Sequence, residues 1–198
     1  MKLTPDIQKA IDKSAKLHNK QMRRSGQLPY IVHPYSVGAI LSNYTDDEDI
    51  IIAGFMHDVL EDVEGYNVSN LREDFGNKVT NIVLYITEDK KPSDSQATAR
   101  KTWKHRKTKY IHVLKNTTNQ NILLVACADK VHNLQAFLEV YEEEGEDMWK
   151  NFNAPEPRST STMWFHDELL KVFKKNLKSN IVDEYEELVA IAMEKFGE

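Results

Sequence analysis

Apolar residues recur along this chain mostly at spacings of three and four, the signature of one-sided helices, and no stretch alternates with the period of two that a strand needs. Ile7, Ile11 and Ala15 line a first helix that runs toward His18. Thr4-Pro5-Asp6 starts it, with proline in the first turn, where no N–H partner is required. RRSGQLPYIVHP, residues 23–34, holds Gly26, Pro29 and Pro34 and predicts a loop, with helix resuming from Tyr35 to Leu41. Thr45-Asp46-Asp47-Glu48 caps the next helix, which contains IIIAGFMHDVLED, residues 50–62, and stops at Gly65-Tyr66-Asn67. Residues 68–75 and 77–87 predict two short helices joined at Gly76. The polar TEDKKPSDSQATARK, residues 87–101, predicts a loop. Helices follow at Arg100 to Lys115 and Asn121 to Tyr141, then an acidic turn EEEGED and an irregular NFNAPEPRSTST. Residues 163–176 and 180–195 predict the last two helices. The fold class is all-α: one domain over residues 1–150, with C-terminal helices in 151–198 packed on it.

IIIAGFMHDVLED is apolar nearly all round in its first half, which argues burial. His57, Asp58, Glu61 and Asp62 then arrive within six residues. At 100° per residue they share one arc of a regular helix. Buried carboxylates without a partner cost several kcal/mol or more, so something positive must face that arc. A divalent cation does this, and an adjacent His-Asp offers it one nitrogen and one oxygen. Further donors must come from elsewhere. His33 in PYIVHP is one candidate, and Asp129, an acid behind the apolar run of LLVACADKVHN, is another. The other histidines (His18, His105, His112, His132 and His166) read as structural or surface residues, His132 pointing about 60° from Asp129 on their helix.

Composition narrows the picture. With 40% hydrophobic and 29% charged residues, the 198-residue chain is an ordinary globular protein able to bury a substantial core. A single cysteine, Cys127, excludes a disulfide framework and a cysteine-rich zinc site, and reads as a packed apolar residue. A net charge of −5 gives no global basic field for nucleic acid. No signal-peptide pattern and no membrane-length apolar run is present, so a cytoplasmic protein is expected.

Taken in order, HNKQMRRSGQLPYIVHP, MHDVLEDV, FGNKVTNIV, ITEDK, WKHRKTKYI and ACADKVHNL resemble the HD superfamily of metal-dependent phosphohydrolases. More narrowly they resemble the hydrolase domain of RelA/SpoT enzymes and the single-domain small alarmone hydrolases. The resemblance spans about residues 8–140. It implies an HD-type helical bundle that cleaves (p)ppGpp to GDP or GTP plus pyrophosphate, with no room for synthetase, TGS or ACT regions. It implies His33, His57, Asp58 and Asp129 as ligands to Mn²⁺, a donor set that Fe²⁺ or Zn²⁺ also suits. Glu61 and Asp62 match the acidic pair that activates or positions water. Arg23, Arg24 and Ser25 match the segment that contacts nucleotide, and Asn133 a residue near the ribose. Arg106, in the basic helix, is a further phosphate candidate. Arg24 stands where the family usually has lysine, and the two cations are not interchangeable at a tight site.

Overall fold

The computed structural model describes residues 1–23, 28–90 and 93–197. They form helices α1 (Pro5–Leu17), α2 (Val32–Leu41), α3 (Glu48–Met56), α4 (Val59–Asp62), α5 (Val68–Ile86), α6 (Gln96–Asn116), α7 (Gln120–Glu144), α8 (Arg158–Asn176) and α9 (Ile181–Phe196), with a 3-10 helix at Gly145–Asn151. Among the described residues no strand forms; Met22 and Pro29 make an isolated bridge. Among the described residues no helix is long and apolar enough to cross a membrane.

Polar side chains set the starts. Thr4 accepts from the Ile7 N–H, Asp47 from Asp49, Asn67 from Ser69 and Asn70, and Asn119 from Asn121 and Ile122, each filling donors that a first turn leaves open. Gly76, at φ 79°, breaks α5 into the two segments its sequence predicts, in a region of backbone space open mainly to glycine.

Four expectations change. His33 is not in a loop: α2 begins at Val32, and Pro34 sits in its first turn, where proline is tolerated. The helix across residues 50–62 is not continuous. It ends at Met56, and Asp58 starts α4 afresh, its carbonyl accepting from Glu61 and Asp62 at 3.1 and 2.9 Å. Asp58 has φ −94° and ψ −6°, the sparsely used region between helix and strand. α6 begins at Gln96 rather than Arg100, because Ser95 caps it by accepting from Thr98. The connection NFNAPEPRSTST is irregular only to Pro157, since Arg158 opens α8.

α3 is the hub, buried at every position from Ile50 to Met56. α1, α2, α5 and α7 pack around it, and α8 and α9 cover the far side of α7. The α2–α3 contact is made close by glycine. A Cβ at Gly38 would lie 2.5 Å from the Phe55 ring, and one at Gly54 would collide with Leu41. Gly38→Ala is expected to destabilise the fold by about 1–2 kcal/mol in chemical denaturation. The gain of about 1 kcal/mol in helix propensity is outweighed by overpacking against a ring fixed in the core.

Candidate metal centre and adjoining cleft

The close α2–α3 contact brings two imidazoles together. His33 and His57 face each other with Nε2 atoms 3.1 Å apart. Asp58 Oδ2 lies 3.1 Å from His57 Nε2 and 3.5 Å from His33 Nε2. Asp129, reaching in from the middle of α7, puts Oδ1 3.1 Å from His33 Nε2 and 3.7 Å from His57 Nε2. Ligands held by bonds of roughly 2.1 Å lie about 3.0 to 3.5 Å from one another around a common centre. The separations among His33, His57 and Asp58 fit a divalent cation, and two nitrogens with a carboxylate oxygen form a suitable start to a donor set, beside which Asp129 offers a further oxygen.

Both imidazoles are oriented from behind. His57 Nδ1 donates to the Gly54 carbonyl at 2.8 Å, which leaves the Nε2 lone pair for the cluster. His33 Nδ1 meets His132 Nδ1 at 2.7 Å. This corrects the reading of His132: it does point away from Asp129, but toward the back of His33. Burial, then the neighbouring His33, lowers His132 to about 3, so it is neutral, and the tautomer in which His33 Nδ1 donates to it leaves the His33 Nε2 lone pair for the cluster. For Asp129, burial acts to raise the carboxyl, but Lys130, the His33 hydrogen bond and His57 together hold it well below the usual carboxylate range. Lys130 Nζ lies 2.6 Å from Asp129 Oδ2, and Asn133 donates to Oδ1 at 2.6 Å. Asn133 therefore holds a cluster carboxylate.

Glu61 and Asp62 sit on α4, just outside the cluster. Lys90 bridges them, donating to Asp62 Oδ1 at 2.5 Å and Glu61 Oε1 at 3.2 Å. Burial acts to lower the Lys90 ammonium, but the two carboxylates raise it above the usual lysine range. The Glu88 backbone N–H donates to Glu61 Oε2. Burial, then the Glu88 charge, pushes the Glu61 carboxyl up to about 7. Tyr30 contacts both Asp58 and Asp62 through its hydroxyl.

An open cleft of ≈ 740 Å³, mouth included, adjoins the cluster. Glu61 lines it, as does Asn133, which donates to Asp129 of the cluster. Lys90, Arg106, Lys107 and Lys130 supply positive charge, and Trp103, Phe137, Phe152 and Phe165 apolar wall. Arg106 lines the cleft but is largely engaged: it pairs with Glu88 and also bonds the Ala99 carbonyl and Thr102 Oγ1. Glu88 pairs with Lys107 as well. Arg23 lies with its guanidinium 5.9 Å above the Tyr30 ring. Arg24 and Ser25 lie outside the described residues. Tyr30, Lys90, Glu88, Lys107 and Lys130 were not singled out by the sequence. Lys90 stands in a segment that reads as loop, and only its place directly after ITED marks it.

A family model for the HD domain matches residues 10–154. A GTP pyrophosphokinase of Myxococcus xanthus is 33% identical over 138 residues, 70% of this chain and 18% of that protein. A probable guanosine-3′,5′-bis(diphosphate) 3′-pyrophosphohydrolase of Synechocystis is 28% identical over 185 residues, 92% of this chain and 23% of that protein. The chain thus spans about a fifth of the length of these curated relatives. A metazoan SpoT orthologue described as hydrolysing ppGpp has a similar fold, with TM-score 0.76, 20% identity, and 96% and 97% of the two chains covered. A Listeria monocytogenes structure gives TM-score 0.67 at 25% identity, covering 82% of this chain and 99% of that one.

Proposed function

Since the chain belongs to the HD domain family, we propose that it is a metal-dependent hydrolase that removes the 3′-diphosphate of guanosine 3′,5′-bis(diphosphate), giving GDP and pyrophosphate. The observation that carries this reading is the cluster of His33, His57, Asp58 and Asp129 donors, tied through the Lys130 and Asn133 contacts of Asp129 to a cleft that these two residues line together with Lys90, Arg106 and Lys107. A nucleotide with two diphosphates needs charge compensation at two places, and a cation centre beside a basic wall provides both. The names of the SpoT orthologue and the Synechocystis protein supply the substrate class.

Mn²⁺ is the proposed cation, and the N/O donor set also suits Fe²⁺ or Zn²⁺. When bound, it supplies Lewis acidity that lowers the pKa of water and offsets phosphoryl charge. The chain's own residues do the rest. Glu61, held to about 7, is placed to take a proton from water near neutral pH. Lys90 fixes Glu61 and Asp62 relative to each other. Lys107 and Lys130 face the phosphates and Asn133 the ribose; Arg23, Arg24 and Ser25 take the role of nucleotide contacts by the family resemblance. Phe165 and His166 of α8 line the same cleft, so we place the C-terminal helices in the same functional unit.

The test is a nucleotide panel incubated with Mn²⁺, with pyrophosphate and orthophosphate release measured separately. Pyrophosphate from ppGpp with GDP as co-product is expected. Orthophosphate release, or turnover only of nucleotides lacking a 3′-diphosphate, would replace this reading with another phosphohydrolase activity.

A further inference from the structure

We propose that Tyr30 is a positioning residue whose single hydroxyl hydrogen bond passes from Asp58 to Asp62 when a divalent cation occupies the cluster. Cation loading then sets the Asp62 carboxylate in place. This rests on the reading of the cluster as a cation site, and goes beyond it.

The Tyr30 hydroxyl is 2.5 Å from Asp58 Oδ2 and 2.9 Å from Asp62 Oδ2. A phenol has one hydrogen to donate, and an ionised carboxylate only accepts. Both oxygens cannot be fully served at once, and the shorter distance goes to Asp58. Asp58 Oδ2 is also the oxygen that faces both imidazoles, at 3.1 Å from His57 Nε2 and 3.5 Å from His33 Nε2. A cation among these atoms draws on the same lone pairs that Tyr30 uses. Asp62 Oδ2 is then the better acceptor, already within reach.

The transfer needs only rotation of the O–H bond. The Tyr30 ring is held in place, stacked near His18 at a centroid distance of 5.0 Å and lying under the Arg23 guanidinium. Among the described residues, Lys90 holds Asp62 Oδ1 at 2.5 Å, and Gln21 Nε2 donates to the Asp62 backbone carbonyl at 2.8 Å. The Tyr30 bond is what would hold Oδ2.

Tyr30→Phe removes the hydroxyl and keeps the ring. Three measurements decide the matter: Mn²⁺ binding by calorimetry, steady-state kinetics of pyrophosphate release, and the same kinetics in an Asp62→Ala background. Mn²⁺ affinity is expected to be undiminished or a few-fold tighter, because a competitor for Asp58 has gone. By contrast kcat is expected to fall about tenfold to a hundredfold, the worth of a hydrogen bond to a charged group, with KM within about twofold. In the Asp62→Ala background, Tyr30→Phe should add almost nothing. Mn²⁺ affinity weakened by about tenfold or more would mean that the hydroxyl merely braces a ligand, and would overturn the proposal. A kcat loss that persists in full without Asp62 would overturn it too, as would a wild-type protein that binds no divalent cation. If the wild type binds Mn²⁺ but leaves ppGpp intact, the substrate reading alone fails, and the same three measurements are made with the nucleotide that the panel shows to be turned over.

Discussion

Substituting His57 by alanine is expected to abolish divalent-cation binding and to lower turnover by about three orders of magnitude or more, since the ionisation of water at neutral pH is what the cation supplies. His57 Nε2 lies within 3.7 Å of donor atoms of His33, Asp58 and Asp129. Its loss leaves one imidazole and two carboxylates with no common centre. The same substitution should disconnect stability from the cation. In the wild type, a cation at about a hundred times its Kd adds roughly 2.7 kcal/mol to the folded state. For a chain of this size that raises Tm by about 5–10 °C. His57→Ala should melt at one temperature with Mn²⁺ or with a chelator present. A wild-type Tm unmoved by chelation would contradict the cation reading itself. Protons enter as well. Burial acts to lower His57, but Asp58 and its hydrogen bond lift it to about 9 in the cation-free protein. A cation needs the Nε2 lone pair, so below that pH a proton must leave as it binds. Affinity should therefore climb as pH rises toward 9, and the calorimetric heat should depend on the ionisation enthalpy of the buffer.

The sequence pointed to the clustered residues His33, His57 and Asp58 through chemistry more than through geometry. Buried acids on an apolar helix demand a positive partner, and that argument holds whether or not the helix is regular. The geometric step fared differently. The shared arc assumed one helix through residues 50–62, while the chain turns at His57-Asp58 and starts α4 afresh. That turn lets His57 and Asp58 face α2 and α7 while Glu61 and Asp62 face Lys90. PYIVHP reads as loop because prolines usually punctuate, yet Pro34 sits in the one turn of a helix that has no use for its N–H. The residues that the sequence hides are those whose role comes from a partner far along the chain. Tyr30 reaches Asp62, His132 reaches His33, and Lys90 reaches Glu61, over separations of 32, 99 and 29 positions. Local periodicity carries no information about such pairs. It does carry the core: the apolar run from Ile50 to Met56 is buried throughout, and Gly76 breaks α5 where the pattern does.

Glu61→Gln is expected to lower kcat by about a hundredfold to ten-thousandfold, with little change in KM and none in cation affinity, because the amide keeps the shape, loses the basic oxygen and gives up one of the two bonds accepted from Lys90 and the Glu88 N–H. The pH dependence distinguishes this from damage to the cleft. Burial and the Glu88 charge hold the Glu61 carboxyl near 7. Below that pH it is protonated and cannot accept a proton from water. With cation saturating at each pH, the wild-type rate should therefore rise about tenfold per pH unit up to the Glu61 pKa, which the charge of a bound cation brings below its cation-free value, and then level off. In Glu61→Gln that limb should disappear. Lys90 gives a second handle of known sign. Its ammonium lies 3.2 Å from Glu61 Oε1 and acts to lower the carboxyl. Lys90→Met removes that influence, so Glu61 should titrate higher and the rising limb should move to more alkaline pH. A limb that stays in place in Glu61→Gln would assign the titration to another group. A limb that shifts down in Lys90→Met would mean that Lys90 acts on the reaction directly, through the phosphates, instead of through Glu61.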